Sequence, residues 1–325
     1  MFKYINLQLF AEVQTTLLEG LSAEMKTFYD MTLIDEAQAN LVHDQFGQKR
    51  PIPANGGKTI EFRKFAPLAK ALTPLTEGVT PDGKSLEVST ITAEVAQYGD
   101  YITQSDVLEL TALDNTILEA TKLLGRQAGL TLDTIVRNVM QSGTNVTYCP
   151  KADGTAVTSR EALTDDCQLT VDVVKRVVAK LRAQNAPTIG GKYVAIIHPY
   201  VAYDLMSDER WVEAHKYAKP ENLFEGEIGE IGGVRFVQTT EAKIYEGGVF
   251  GSLFLGEGAY GVTEITGGGL QTIVKQKGSA GTADPLDQRS SVGWKAIKTA
   301  ELLIPNYIVR VESKSKAFSA SVSEN

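Results

Sequence analysis

The sequence predicts an α+β fold, and three observations predict it. A helical stripe runs without a break from Asp114 to Gly143. A proline-studded segment separates two strand-like stretches between residues 57 and 98, and the last third of the chain is a succession of short strands. With 325 residues, 43% hydrophobic and 22% charged, the chain can bury a sizeable core and has the balance of an ordinary globular protein.

Taken in order, residues 12–46 carry helical spacing in pieces, with Leu17, Leu18, Leu21, Met25 and Phe28 three or four apart. The stretch GQKRPIPANGG (47–57) breaks it with prolines and glycines. In KTIEFRKF, Ile60 and Phe62 alternate with Thr59, Glu61 and Arg63, which predicts a strand. A second strand is predicted through SLEVSTITAEVAQY. There Leu86 and Val88 share one phase and Ile91, Ala93 and Val95 the other, so a bulge is expected near Ser89–Thr90. About twenty residues with Pro67, Pro74 and Pro81 lie between the two, a long connection for a compact domain. The expectation is a hairpin arm that leaves its own core, with Leu68, Leu72 and Leu75 resting on a neighbouring molecule.

After YGDYITQSDVLELTALD, the residues Ile117, Thr121, Leu124, Ala128, Leu132, Ile135 and Val139 recur at helical spacing. With Asp114 as N-cap and Gly143 as stop, the helix would be about 43 Å long, a strut rather than a core helix. Residues 144–168 are polar and turn-rich and read as an exposed excursion. TVDVVKRVVAKLRAQNAP predicts an amphipathic helix on Val173, Val174, Val177, Val178 and Leu181, stopped before Pro187. KYVAII is a buried strand and PYVAYDLMSD a helix with Pro199 in its first turn. VRFVQT, VFGSLFL, YGVTEI and LQTIVKQK read as strands. The end, SSVGWKAIKTAELLIPNYIVRVES, predicts an antiparallel pair turning at Ile304–Tyr307, with Val292, Trp294 and Ala296 on one face and Tyr307, Val309 and Val311 on another.

Composition excludes several classes. The net charge of −8 gives no electrostatic reason to grip a phosphate backbone. No apolar run approaches a membrane span, and the start MFKYINLQLFAEVQ lacks the apolar core and cleavage site of an export signal. Cys149 and Cys167 have neither the number nor the spacing of a zinc site and read as two free thiols flanking a loop.

Two motifs imitate nucleotide binding. GVTPDGKS (78–85) matches the phosphate-loop pattern, but a strand rather than a helix follows it. Pro81 lacks a donor, and Asp82 places negative charge where phosphate would sit. GEGAYG (256–261) matches a dinucleotide fingerprint and is likewise followed by strand pattern, with Glu257 repelling a pyrophosphate. Both read as turns. Asp165–Asp166 and the Glu225, Glu227, Glu230 group read as solvated carboxylates, and His198 before Pro199 as a hydrogen-bonded structural residue. No catalytic residue, metal ligand or cofactor is expected.

AQYGDYITQSDVLELTALDN, IHPYVAYDL, EGEIGEIGGVRFVQT and DPLDQRSSVGWKAIKTAELLIPNYIVRVES, in that order, resemble the tailed-phage major capsid proteins of the Hong Kong 97-type fold. Within them the chain looks most like the family typified by the major capsid protein of coliphage N-four. The opening NLQLFAE also resembles the start of structural proteins from phages of Gram-positive hosts. The resemblance implies an N-terminal arm at 1–56 and an extended loop at 57–98. A peripheral domain would take 99–169 and 283–325 with a spine helix at 114–143, and an axial domain 170–282. It implies inter-subunit contacts through Leu68, Leu72, Leu75 and Lys84 and a peripheral core with Leu124, Leu132, Ile135 and Trp294.

As a function it implies a non-enzymatic subunit that assembles as pentamers and hexamers into an icosahedral head in the host cytoplasm. The head would enclose double-stranded DNA without reading its sequence. The partners implied are further copies of the chain, a separate scaffolding protein (no long fused one fits before the arm), a portal and a decoration protein, and no membrane. Some relatives cross-link through a Lys–Asn bond. Lys58, Lys64, Lys70 and Lys84 lie in the hairpin, but the catalytic acid of that bond has no match here, and the bond is not carried over. The rival readings are an encapsulin-like nanocompartment shell and, more remotely, a nucleotide-dependent α/β enzyme.

Overall fold

The computed structural model describes residues 31–325 apart from 38–40, 54–56, 66–67, 69, 76, 81–82, 112–115, 217–228, 265–267 and 280–283. The first half of the chain contributes α1 (31–37), β1 (Gln48–Lys49), β2 (Thr59–Phe65), β3 (Val88–Glu94), β4 (Ala96–Ser105), α2 (Asp106–Thr111), α3 (Thr116–Gln141) and β5 (Val146–Tyr148). Then come α4 (Val171–Ala183), β6 (Tyr193–Ile197), α5 (Pro199–Met206), α6 (Glu209–Lys216), β7 (Glu230–Ile231), β8 (Val234–Gln238) and β9 (Ile244–Tyr245). The chain closes with β10 (Val249–Leu255), β11 (Tyr260–Glu264), β12 (Gln271–Lys275), β13 (Arg289–Leu302) and β14 (Ile308–Ser313). They form two compact units. One takes Met1–Ala39, Tyr98–Gly129 and Leu270–Ala296; the other takes Asn40–Gln97, Leu130–Gly269 and Ile297–Asn325.

In the first unit, the start of α3 carries Gly125 and Gly129 one turn apart, facing α1. A β-carbon at Gly129 would stand 2.5 Å from the Ala37 carbonyl oxygen, and one at Gly125 2.8 Å from that of Leu33. Only glycine permits this backbone approach. Arg126 closes it by donating to Glu36 at 2.9 Å. The N-terminal part of β13 pairs antiparallel with β12 and also with β4. Val292, Trp294 and Ala296 are buried in alternation, as period-two spacing requires. Trp294 Nε1 donates to Gln127 at 3.3 Å. The expected N-cap, Asp114, lies outside the described residues.

The second unit is built on a seven-stranded sheet in the order β5-β14-β10-β6-β8-β7, with β9 on β10. Every residue of β6 and β10 is buried. The α4 residues Val173, Val174, Val177, Val178 and Leu181 cluster with Tyr193, Ala195, Ile197, Phe236 and Phe254 from the sheet. That is the apolar stripe the sequence predicts for this helix.

Three expectations are corrected. The β2–β3 ladder runs in register from Thr59↔Glu94 to Phe65↔Val88, so there is no bulge at Ser89–Thr90. Leu86 and Val88 are exposed, and their phase never belonged to the core. The strand instead breaks at Val95, whose N–H donates to the Lys58 carbonyl at 3.0 Å. Residues 144–168 are not an exposed excursion: β5 pairs with β14, and Cys149, Leu163 and Cys167 are buried in the main core. Both cysteines are free, and burial raises the Cys149 pKa strongly. Nor do the closing strands pair with each other. In the second unit, residues 298–302 of β13 pair with β11, while β14 pairs with β10 and β5.

Buried charge ties the 144–168 segment in place. Arg160 donates twice to the fully buried Glu312, at 2.6 and 2.7 Å, and its guanidinium lies 3.6 Å from the centre of the Tyr245 ring. Arg310 adds an ion pair to Glu312 at 3.0 Å. A carboxylate with no water needs this many donors.

His198 ends β6 and caps α5. Its Nδ1 accepts the Tyr200 N–H at 3.2 Å, and its ring sits 5.1 Å from that of Phe250. Burial lowers its pKa from 6.5 to about 4. The folded state therefore disfavours the proton that the unfolded chain accepts. Stability contributed above pH 6.5 is lost as pH falls toward 4, by about 2–3 kcal/mol. Urea unfolding of wild type and His198→Asn, which keeps a capping acceptor that does not titrate, is expected to show a steeper loss between pH 7 and 4.5 in wild type. Parallel curves would refute this assignment.

Candidate assembly interface

The hairpin of β2 and β3 has a built-in root and an unsupported far end. At the root, Phe62 and Ala93 are buried with Leu303, flanked by Ile60, Ile91 and Ile304. The Phe62 ring lies on the backbone of β11. A β-carbon at Gly261 would come within 2.8 Å of Phe62 Cε1 and 3.3 Å of Leu303 Cδ1, so only glycine seats this ring. Beside it, β1 pairs in parallel with β11.

The chain entering β1 is fixed by a buried polar clasp. Asp133 of α3 accepts the backbone N–H groups of Val42 and His43 at 2.9 and 2.7 Å, and its other oxygen lies 2.6 Å from His43 Nδ1. The Tyr260 hydroxyl donates to the His43 carbonyl. Lys298 pairs with Asp44 at 3.0 Å. The sequence alone does not reveal this clasp, because its partners stand ninety or more positions apart and no local pattern links them.

Beyond Phe65 and before Val88, none of the described residues is in a strand or helix, and all are exposed. Leu68 is 59% exposed, Leu72 83%, Leu75 77% and Val79 62%. Lys84 is exposed as well. Keeping so many large apolar groups in water costs free energy, and a cluster of them on one element is the mark of a surface that a partner covers. Of the other residues singled out, Leu124 and Trp294 are buried in the first unit. Leu132 is buried and Ile135 half-buried in the second. After Leu132 the buried apolar helix positions are Val136 and Met140, one residue later than Ile135 and Val139.

Two clefts stand out in the second unit. One, of about 350 Å³, opens at the hairpin root between Arg50, Arg63, Phe62, Ile91, Leu303 and Ile304. The Arg50 guanidinium stands 5.9 Å from the Phe62 ring centre. The other, of about 460 Å³, is polar and holds Asp172, Asp204 and Asp208. Asp208 is engaged by the Val171 N–H at 2.9 Å, and Asp172 by Arg176 at 2.8 Å. Burial raises the Asp204 pKa. Among the described residues no group of three or more His, Cys, Asp or Glu is placed to hold a metal.

The nucleotide-like motifs resolve as turns. GVTPDGKS leads into β3, although its Pro81 and Asp82 lie outside the described residues. GEGAYG turns at Gly258, φ +72°, straight into β11. Neither presents a helix N-terminus to an anion. Glu225 and Glu227 lie outside the described residues, and Glu230 pairs with Lys192. No helix among the described residues is long and apolar enough to cross a membrane.

The sequence pattern that defines the family described as phage capsid protein matches residues 87–302. The chain belongs to that family. As a phage capsid protein it is a structural component of the virion shell. No curated protein matches it in sequence.

Solved structures agree on the fold. The capsid protein is similar to the capsid of Ralstonia phage GP4 at 14% identity and a TM-score of 0.67, over 97% of this chain and 99% of that one. It is similar to the capsid of the cyanophage P-SCSP1u at 15% identity and 0.66, over 94% of each chain. A virus-like particle from Pyrococcus furiosus is similar at 12% identity and 0.52, over 89% of this chain and 99% of that one. The capsid protein thus has the α+β, Hong Kong 97-type fold.

Proposed function

We propose that this capsid protein builds its shell by donating the 57–98 hairpin to a neighbouring copy within pentamers and hexamers. The observation that carries the reading is the contrast along one element. Its root is packed on Gly261 and Leu303, while Leu68, Leu72 and Leu75 are left in solvent. Many such contacts, each weak, add up in a closed shell because every copy is held by several neighbours at once. In this reading 99–169 with 283–325 forms the peripheral domain, 170–282 the axial domain and 1–56 the arm. The quoted stretches, DPLDQRSSVGWKAIKTAELLIPNYIVRVES above all, favour the coliphage N-four type within the family.

The shell assembles in the host cytoplasm with a separate scaffolding protein, a portal and a decoration protein, and encloses double-stranded DNA. The net charge of −8 suits an interior that does not hold its cargo tightly. The subunit performs no chemistry in this reading, since its nucleotide-like motifs are turns that run into strands. The likeness to the Pyrococcus furiosus particle keeps one rival in view, a nanocompartment around a protein cargo. Electron microscopy of the particles that form in host cells alongside the other head proteins, with nuclease treatment, separates the two. Closed shells protecting DNA are expected, and packaged protein in place of DNA would favour the rival.

A further inference from the structure

We propose that the cleft at the root of each hairpin, between Arg50 and Arg63, receives the hairpin tip Leu75–Val79 of another copy. This rests on the hairpin reading above and names where the donated element lands. The cleft is lined by the apolar residues Phe62, Ile91, Leu303 and Ile304 together with Arg50 and Arg63, and the Arg50 guanidinium stands beside the Phe62 ring. Among the described residues no carboxylate pairs with Arg50 or Arg63. Its complement is a short segment with apolar side chains around one negative charge. The tip has that composition: Leu75 and Val79, both exposed, flank Glu77 at a turn whose Gly78 has φ +80°. The other cleft offers poorer chemistry, because Asp172, Asp204 and Asp208 outnumber Arg210 there and its lining gives the leucine no apolar side chain.

Within one copy the tip is exposed and the cleft is open, so neither satisfies the other in cis. The tip stands about ten residues from either strand end, a reach of roughly 33 Å at full extension. A tip-into-root contact is head-to-tail: each copy offers both halves on one element, and repetition of the same step closes a ring when the rotation allows. Arg50 stacked beside Phe62 would clamp the incoming carboxylate with Arg63, and charge pairing would set the register while the apolar contacts hold it.

Cysteine pairing in assembled particles tests this, since Cys149 and Cys167 are buried and do not compete. Glu77→Cys with Arg63→Cys is expected to give, on oxidation, a ladder of disulfide-linked copies ending in closed rings. Glu77→Cys with Asp172→Cys is expected to give none. Arg63→Glu should raise the concentration needed for assembly about tenfold, and adding Glu77→Arg should restore most of it. A disulfide confined to single chains, or equal ladders from both cysteine pairs, would overturn the inference. Leu75→Asp distinguishes it from the reading beneath it. If that variant blocks assembly while the Glu77–Arg63 pair yields no ladder, the hairpin is donated but lands elsewhere, and the cleft assignment fails alone. If Leu75→Asp assembles normally, the hairpin reading itself falls.

Discussion

Deletion of Ala66–Lys84 is expected to abolish shell formation while leaving the subunit folded. The cut leaves Ser85, Leu86 and Glu87 between Phe65 and Val88, and a three-residue connection is one that antiparallel strands accept. It removes no part of the buried root, because Phe62, Ala93 and Leu303 all lie outside it. It shortens a loop, which lowers the entropy of closing the hairpin slightly. Thermal unfolding of the variant should therefore match that of the intact chain within a few degrees.

Assembly is a different matter. The cut takes away Leu68, Leu72, Leu75 and Val79, each worth about 1.5–3 kcal/mol when fully buried. Against the entropy of immobilising a copy, the loss of several such groups per contact outweighs what the remaining surface can supply. Sedimentation and electron microscopy should find dispersed, folded protein. Closed shells of normal size would show that the hairpin does not hold neighbours together.

Asp133→Ala is expected to be the most damaging single substitution in the second unit. Asp133 accepts from three donors at once, two backbone N–H groups and His43 Nδ1, and it is fully buried. Alanine leaves those donors facing one another without water. Each orphaned group costs about 1 kcal/mol or more, so the loss is about 3 kcal/mol at least. Its reach extends beyond the clasp, since residues 41–44 lead into β1, which pairs with the same strand that seats Phe62. A loosened clasp therefore loosens the hairpin root. Asp133→Asn, which keeps an oxygen for the backbone donors, should recover part of the stability. Chemical denaturation of the three proteins measures this, and equal midpoints would remove the clasp from the account.

Features carried by neighbours along the chain were legible before folding. Alternation in KTIEFRKF, the valine stripe of 171–183 and the unbroken run of YVAII fixed the type of each element, because a side chain's face depends only on the period of its own backbone. The hairpin arm was legible too: prolines spaced through a leucine-bearing connection leave no way to bury those leucines locally. Pairing across distance was not legible in this way. The final two strands look like a hairpin from their turn and periodicity, yet each finds a better-matched neighbour, β13 on β11 and β14 on β10.

The polar stretch 144–168 looks like surface, yet β14 supplies its partner strand and Glu312 a partner for Arg160. The clasp joins His43 to a helix residue ninety positions away. The cleft of Arg50, Arg63 and Ile304 likewise gathers segments that no spacing rule connects. Local pattern states which face of an element is apolar. Which other face covers it depends on contacts between segments far apart in the chain, and their energies exist only once the chain has folded.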